Sequence, residues 1–261
     1  MMTTEDVEKY TLLSKSDRHK RLVSNTLETI HKALSNAGEW AISFSGGKDS
    51  TVLADLLSVA GWKGKGIYFV YSDYENPKEN LQQVEWAGDH YGYDIHVVKR
   101  YGDYDCWKEV GHFFVIPETE NEKSAMRKIS NVRKTVSREF MRSNGLRNLF
   151  IGMRKEESRT RQIVLRKKGM IYSTQIRDGL TCCPLANWKG SDIWAYIVSN
   201  DLPYLSIYDL PYWNRERIRN ELTVISCSNA VLRGEFLQYR IAYPDLFQKL
   251  KTEFPGVMMY T

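Results

Sequence analysis

Apolar residues recur at helical intervals over residues 16–37, where Leu22, Leu27, Ile30 and Leu34 fall on one face ahead of Gly38, and this spacing predicts an amphipathic helix. The pattern then shortens. Residues 40–44, Trp-Ala-Ile-Ser-Phe, predict a strand, residues 45–49 a turn, and residues 51–57 a helix that begins where the turn stops. A second strand over 66–71 follows Gly61 and Gly64, a helix over about 77–91 comes next, and residues 94–98 predict a third strand. The order is βαβαβ, which implies an α/β fold: a twisted, mostly parallel sheet with helices on both faces.

Between residues 101 and 123 the periodicity fades into mixed aromatics, glycine, proline and acids, and a loop is expected there. From 126 to 142 a helix returns. Ile129, Val132, Val136 and Phe140 line one side of it, with Arg127, Lys134, Arg138 and Arg142 opposite, so a basic, solvent-facing surface is predicted. Residues 148–152 predict a further strand and 154–161 a polar stretch. Beyond Cys183 the chain reads as mostly helical, with Ser191 as the cap of a helix over 192–199. Three parts are expected: an N-terminal helical segment (1–37), a nucleotide-binding α/β domain (38–180) and a mostly helical C-terminal portion packed on it (181–261).

Composition adds limits. The 261 residues, 42% apolar, suffice for a sizeable core. No apolar run approaches the roughly 20 residues that span a bilayer, and the amino terminus is polar and acidic, so a cytoplasmic protein without a membrane partner is expected. Four cysteines, Cys106, Cys182, Cys183 and Cys227, follow no secretory spacing, and disulfides are not expected to hold the fold. The net charge of +5 is unevenly spread: residues 123–168 carry fifteen Lys or Arg against three Glu, a local +12 that leaves −7 for the rest.

The sharpest chemistry is Ser45-Gly46-Gly47-Lys48-Asp49-Ser50. A strand that runs through this sequence into a helix gathers backbone N–H groups and a helix amino terminus around one point, which favours an anion. Gly46 and Gly47 allow close approach, Lys48 adds charge, Ser45 and Ser50 add hydroxyls, and Asp49 orients the loop or holds a magnesium ion between phosphates. An isolated Gly-Gly is most often only a capped turn; six residues in a strand-to-helix context point to pyrophosphate. The hexapeptide resembles the signature of the PP-loop ATP pyrophosphatases, which have an adenine nucleotide alpha hydrolase-like fold. That resemblance implies ATP as substrate, with Mg2+, and cleavage between the α and β phosphates, with Lys48, Asp49 and Arg154 catalytic.

Over roughly residues 38–210 the chain is similar to the phosphoadenosine phosphosulfate reductase-like branch. Ser72-Asp73-Tyr74-Glu75-Asn76-Pro77 partly matches its Asp-Thr-Gly-x-x-x-Pro segment, which implies Asp73 as an adenosine or metal contact. Gly152-Met153-Arg154-Lys155-Glu156-Glu157-Ser158-Arg159-Thr160-Arg161 resembles Gly-x-Arg-x-x-Glu-Ser-x-x-Arg. The resemblance implies Gly152 against the nucleotide, and Arg154, Glu157, Ser158, Arg159 and Arg161 around an anionic substrate. Pro184-Leu185-Ala186-Asn187-Trp188, with residues 192–197, is similar to a third family segment, although Trp188, Trp194 and Ile197 also suit plain core packing.

Sulfonucleotide reduction needs a thiol nucleophile. The resembled reductases carry it in a Glu-Cys-Gly-x-His-like terminal segment, whereas this sequence ends Val257-Met258-Met259-Tyr260-Thr261. Reductase activity is therefore not expected. Cys182-Cys183 resembles the paired cysteines of iron–sulfur members without the distal Cys-x-x-Cys, so no iron–sulfur cluster is expected. Within the branch, the absent reductive cysteine, the Ser-Asp-x-x-x-Pro segment and the basic block over residues 123–168 together resemble the ATP pyrophosphatases of DNA phosphorothioation systems. That resemblance implies adenylylation of a DNA backbone phosphate, with Arg127, Lys134 and Arg138 contacting nucleic acid and a cysteine desulfurase or other sulfur donor as partner. Sulfate- or flavin-type adenylyl transfer, and ATP binding by a non-catalytic regulatory protein, stand as alternatives.

Overall fold

The computed structural model describes residues 2–174, 179–211, 213–219, 225 and 234–260. Two helices, α1 (Thr4–Lys15) and α2 (Asp17–Leu34), open the chain. Thr3 and Asp6 form a reciprocal capping box on α1, and the Ser16 side chain accepts the His19 N–H at the start of α2. Then come β1 (Glu39–Ser43), α3 (Lys48–Val59), β2 (Lys65–Val70), α4 (Lys78–Tyr91), β3 (Asp94–Lys99), α5 (Asp103–Val110), α6 (Glu120–Ser143) and β4 (Leu146–Ile151). After β4 the chain forms α7 (Arg159–Lys168), β5 (Ile171–Thr174), β6 (Gly179–Cys182) and α8 (Gly190–Ser199). Two further described helices, α9 (Glu235–Ala242) and α10 (Pro244–Glu253), lie near the end.

The six strands form one sheet in the order β3-β2-β1-β4-β6-β5, parallel except for the antiparallel pair β5 and β6. Alternation along the strands divides the packing between two faces. Trp40, Ile42, Tyr68 and Phe150 point into the main core with Val52, Leu53 and Leu56 of α3, Ile30 of α2 and Ile193 and Trp194 of α8. Ala41, Ile67 and Leu149 point the other way, onto Val136, Phe140 and Met141 of α6. Trp40 stacks on Phe150 at 4.3 Å between ring centroids. Trp188 and Trp194 are fully buried, and the Trp188 indole N–H donates to Thr26 Oγ1 at 2.8 Å.

Several elements differ from the sequence expectation: α7, β5 and β6 had no counterpart in it, and three others are instructive. Residues 103–110, expected as loop, are α5. Its start is fixed by the Asp105 carboxylate accepting the Gly102 N–H at 2.8 Å, and Cys106 and Trp107 are buried in a second cluster with Phe236, Tyr239, Phe247 and Phe254. Those partners lie more than a hundred residues away, so local periodicity does not register them. Helix α6 begins six residues earlier than expected because Thr119 and Glu122 form a capping box. Helix α8 starts at Gly190, not after Ser191: its cap residue is Lys189, whose N–H is accepted by Asp192 at 2.8 Å. No helix among the described residues is long and apolar enough to cross a membrane.

Candidate functional site

Strand order reverses between β1 and β4, so the connections leaving their carboxyl ends diverge and open a crevice, the place where open α/β sheets take ligands. From β1 the chain runs through Ser45-Gly46-Gly47-Lys48-Asp49-Ser50 into α3; from β4 it runs through Gly152, Met153 and Arg154. The cleft between them has a volume of about 730 Å³.

The loop is built to be tight. Gly46 has φ +75°, and a Cβ there would stand 2.7 Å from the Asn80 backbone oxygen, so both conformation and space demand glycine. The Ser50 hydroxyl donates to the Gly47 carbonyl at 2.8 Å and accepts the Ser45 N–H at 3.3 Å, folding the turn back on the helix. Gly47 caps α3 without a side chain, leaving a helix amino terminus directed to the cleft.

Lys48 is buried. Its Nζ donates to the Ile218 carbonyl at 3.2 Å, lies 3.2 Å from Asp49 Oδ2 and stands 5.0 Å from the Tyr208 ring centroid, while its backbone N–H donates to the Tyr208 hydroxyl. Asp49 takes Lys48 on one oxygen and the Arg154 Nε on the other. Burial alone would raise the Asp49 carboxyl, but the two cations outweigh it and hold the group below the usual carboxylate range. Arg154 is 3% exposed; burial opposes its charge, and Asp49, Glu157 and Glu156 more than restore it. Its guanidinium also donates to Glu156 at 3.0 Å, its N–H donates to Glu157 at 2.7 Å, and Glu156 accepts the Gly190 N–H of α8 at 2.6 Å. Gly152 passes close to the loop: a Cβ there would lie 3.1 Å from the Asp49 carbonyl oxygen.

The structure therefore brings Ser45, Gly47, Lys48, Asp49, Ser50, Gly152, Arg154, Glu157 and Arg161 to one cleft, with Gly46 behind it against Asn80. Arg161 pairs with Glu157. Ser158 caps α7 by accepting the Arg161 N–H at 3.2 Å, and Arg159 is exposed outside the cleft lining. Asp73 is exposed on the connection from β2 to α4 and does not line the cleft. Arg127, Lys134 and Arg138 are exposed on α6, also away from it. Sequence reasoning missed Tyr71, Tyr208, Asn214, Glu216, Arg217 and Arg219, all of which line the cleft. The one signal available for the last three was the alternation Arg215-Glu216-Arg217-Ile218-Arg219.

Cys106, Cys182 and Cys183 are buried; burial pushes the Cys106 thiol up to about 12 and, with Cys183 beside it, raises that of Cys182. Cys227 lies outside the described residues. Among the described residues there is no group of three or more His, Cys, Asp or Glu able to hold a metal ion. Asp49 is a lone carboxylate at the loop, which suits an ion carried mainly by phosphates and water rather than a protein cage.

The sequence model of the phosphoadenosine phosphosulfate reductase domain matches residues 39–214. An uncharacterized protein of Methanocaldococcus jannaschii is 29% identical over 255 residues, a match that covers 94% of this chain and 55% of that protein; the chain thus spans about half the length of this relative. Adenosine 5'-phosphosulfate reductase 2 of Bacillus subtilis is 25% identical over 201 residues, covering 71% of this chain and 74% of that one. Among solved structures, the phosphoadenylyl-sulfate reductase of Candida auris in a phosphate complex superposes with a TM-score of 0.53 at 18% identity, covering 82% of this chain and 95% of that one, a likeness of fold.

Proposed function

The chain belongs to the phosphoadenosine phosphosulfate reductase domain family, and from that premise we propose that it binds ATP at Ser45–Ser50 and transfers AMP to an anionic acceptor with release of pyrophosphate. The observation that carries this reading is the convergence of Lys48 and Arg154 on Asp49 at a glycine-lined helix amino terminus, inside the crevice between β1 and β4. An acceptor oxygen forms a bond to the α phosphorus, the bond from that phosphorus to the bridging oxygen breaks, and pyrophosphate leaves with the electron pair. No side-chain nucleophile is needed. The loop N–H groups and Lys48 take the charge that develops on the leaving pyrophosphate, and Arg154, its guanidinium held by Asp49 and Glu156 and its backbone N–H by Glu157, is the cation for the oxygens of the α phosphate. Magnesium bound with the nucleotide would neutralise phosphate charge, and Asp49 would serve as its protein ligand only by exchanging Lys48 or Arg154 for the ion.

We read the activity as AMP transfer rather than sulfonucleotide reduction, a reading supported by the burial of Cys106, Cys182 and Cys183 and by the sequence around Cys227, Ser226-Cys227-Ser228-Asn229, which does not resemble the Glu-Cys-Gly-x-His-like segment of a reductive thiol. For the acceptor we favour a DNA backbone phosphate activated for sulfur incorporation, with a separate sulfur donor. The support is the local +12 over residues 123–168, with Arg127, Lys134 and Arg138 on one exposed helix face. Sulfate is the second candidate, supported by the arginines of the cleft itself.

The test is incubation with α-labelled ATP and either a DNA duplex, inorganic sulfate or no acceptor. Label on the DNA, lost with Lys48→Ala, supports the first reading, and label on sulfate moves the assignment to the second. ATP binding without turnover on any acceptor sinks both and leaves a nucleotide-binding regulatory protein.

A further inference from the structure

The cleft contains two cations that phosphate-loop chemistry leaves unused. Its four acids are each engaged elsewhere. Asp49 holds Lys48 and Arg154; Glu156 accepts from Arg154 and the Gly190 N–H; Glu157 pairs with Arg161 and accepts the Arg154 N–H. Glu216 is taken by Lys9 at 3.7 Å and the Tyr10 hydroxyl at 3.2 Å. Arg217 and Arg219 line the same cleft, are exposed, and form no ion pair among the described residues.

Their placement is fixed by the residue between them. Ile218 turns its side chain into the core, and its carbonyl takes the Lys48 ammonium at 3.2 Å. The N–H groups of Arg217 and Ile218 both donate to the Asn214 carbonyl, at 2.9 and 3.3 Å. The alternation thus presents two guanidinium groups to the cleft from a backbone fastened to the phosphate-loop lysine. Like charges gathered in one partly enclosed cleft are unfavourable without a counter-anion, and planar guanidinium forks match tetrahedral oxyanions in two-point contact.

We propose that Arg217 and Arg219 form an oxyanion subsite for the acceptor, a phosphodiester or a sulfate, distinct from the donors that hold the ATP phosphates. The proposal rests on the AMP-transfer reading and names where the second substrate sits. It also separates acceptor binding from the exposed arginines of α6, which lie outside the cleft.

The test uses the full chain and the double variant Arg217→Gln/Arg219→Gln, whose side chains are exposed and whose melting temperature should match the wild type. Three probes are titrated: α,β-methylene ATP, a short labelled DNA duplex and inorganic sulfate. The expected result is an affinity loss of about 10- to 100-fold for one oxyanion probe, with binding of the ATP analogue unchanged. A loss on DNA, with the slope of log affinity against log salt reduced by about 2, identifies a phosphodiester; a loss on sulfate identifies sulfate. The double lysine variant should recover the charge-dependent part only. Equal binding of both oxyanions by wild type and variant overturns the subsite, as does a wild type that binds neither, or a loss that falls on the ATP analogue. Failure of the underlying AMP-transfer reading appears separately, as wild-type protein that neither binds the analogue nor releases pyrophosphate.

Discussion

The Nε of Arg154 donates to Oδ1 of Asp49 across the crevice, so the segment leaving β4 is tied to the loop leaving β1 by a buried ion pair. Asp49→Asn leaves the Arg154 charge with Glu156 and Glu157 alone. Pyrophosphate release should fall by about 100-fold or more, and urea denaturation should show a loss of about 3 kcal/mol, as expected when one member of a buried pair is removed. Lys48→Ala should abolish release while the fold persists. Unchanged turnover in either variant would falsify the loop assignment.

Gly46 tests the backbone rather than the charges. In Gly46→Ala the new Cβ meets the Asn80 carbonyl oxygen at 2.7 Å in a left-handed conformation, and neither main chain can yield cheaply. The expected cost is about 1–3 kcal/mol of stability, together with weaker ATP binding by calorimetry. A variant that melts and binds like wild type removes the close packing of loop on α4 as a requirement.

Asp192 anchors α8 to α2: its oxygens accept from Arg18 at 2.5 and 2.9 Å, and it also accepts the Lys189 N–H. Burial would raise its carboxyl, but the His19 ring 3.8 Å away and the bonds from Arg18 and the Lys189 N–H hold it well below the usual range. With the folded value depressed, this group's stabilisation is fully present above the unfolded value of about 4 and is lost as pH falls through the folded one. Asp192→Asn should therefore cost about 2–4 kcal/mol at pH 7. Denaturation at a series of acidic pH values should show the gap to wild type narrowing below about pH 4.

Glu75 behaves oppositely. It is fully buried, and burial followed by the neighbouring Asp103 pushes its carboxyl up to about 8, although it accepts N–H groups from Asp103 and Tyr104 and the Ser72 hydroxyl. Between its unfolded value near 4.3 and about 8 the folded chain binds the extra proton, so stability falls as pH rises through that window. Melting temperature should drop from pH 6 to pH 9 in wild type, and that slope should disappear in Glu75→Gln. Parallel profiles for the two proteins contradict the assignment.

Much of the centre of the fold was legible in the sequence because its signals are local. The strands near residues 40, 66, 94 and 148 each alternate between two faces, and Ser45–Ser50 combines glycine geometry with a helix start. Helix α5 was not legible, since Cys106 and Trp107 find their partners in Phe236, Phe247 and Phe254. Nor was the cleft wall at Tyr208 and Arg217, because the contact that brings it in, Lys48 to the Ile218 carbonyl, joins residues 170 apart and involves a backbone atom that every residue possesses. Asp73 and Arg159 came from motif resemblance, which matches positions along the chain and carries no information about the side on which a residue emerges.

The register of β1 against β4 also bears on which insertions and deletions the gene can tolerate. The pair ends at Ser43 opposite Ile151, immediately before both cleft segments, while its irregularity lies at the far end, between Glu39 and Trp40. An extra residue near Leu146 can be taken up where the ladder is already uneven. One added between Asn148 and Ile151 would carry Arg154 a step along the strand and turn the following side chains to the opposite face. The reading frame of the strand is thus strict over its last four residues and lenient at its entrance.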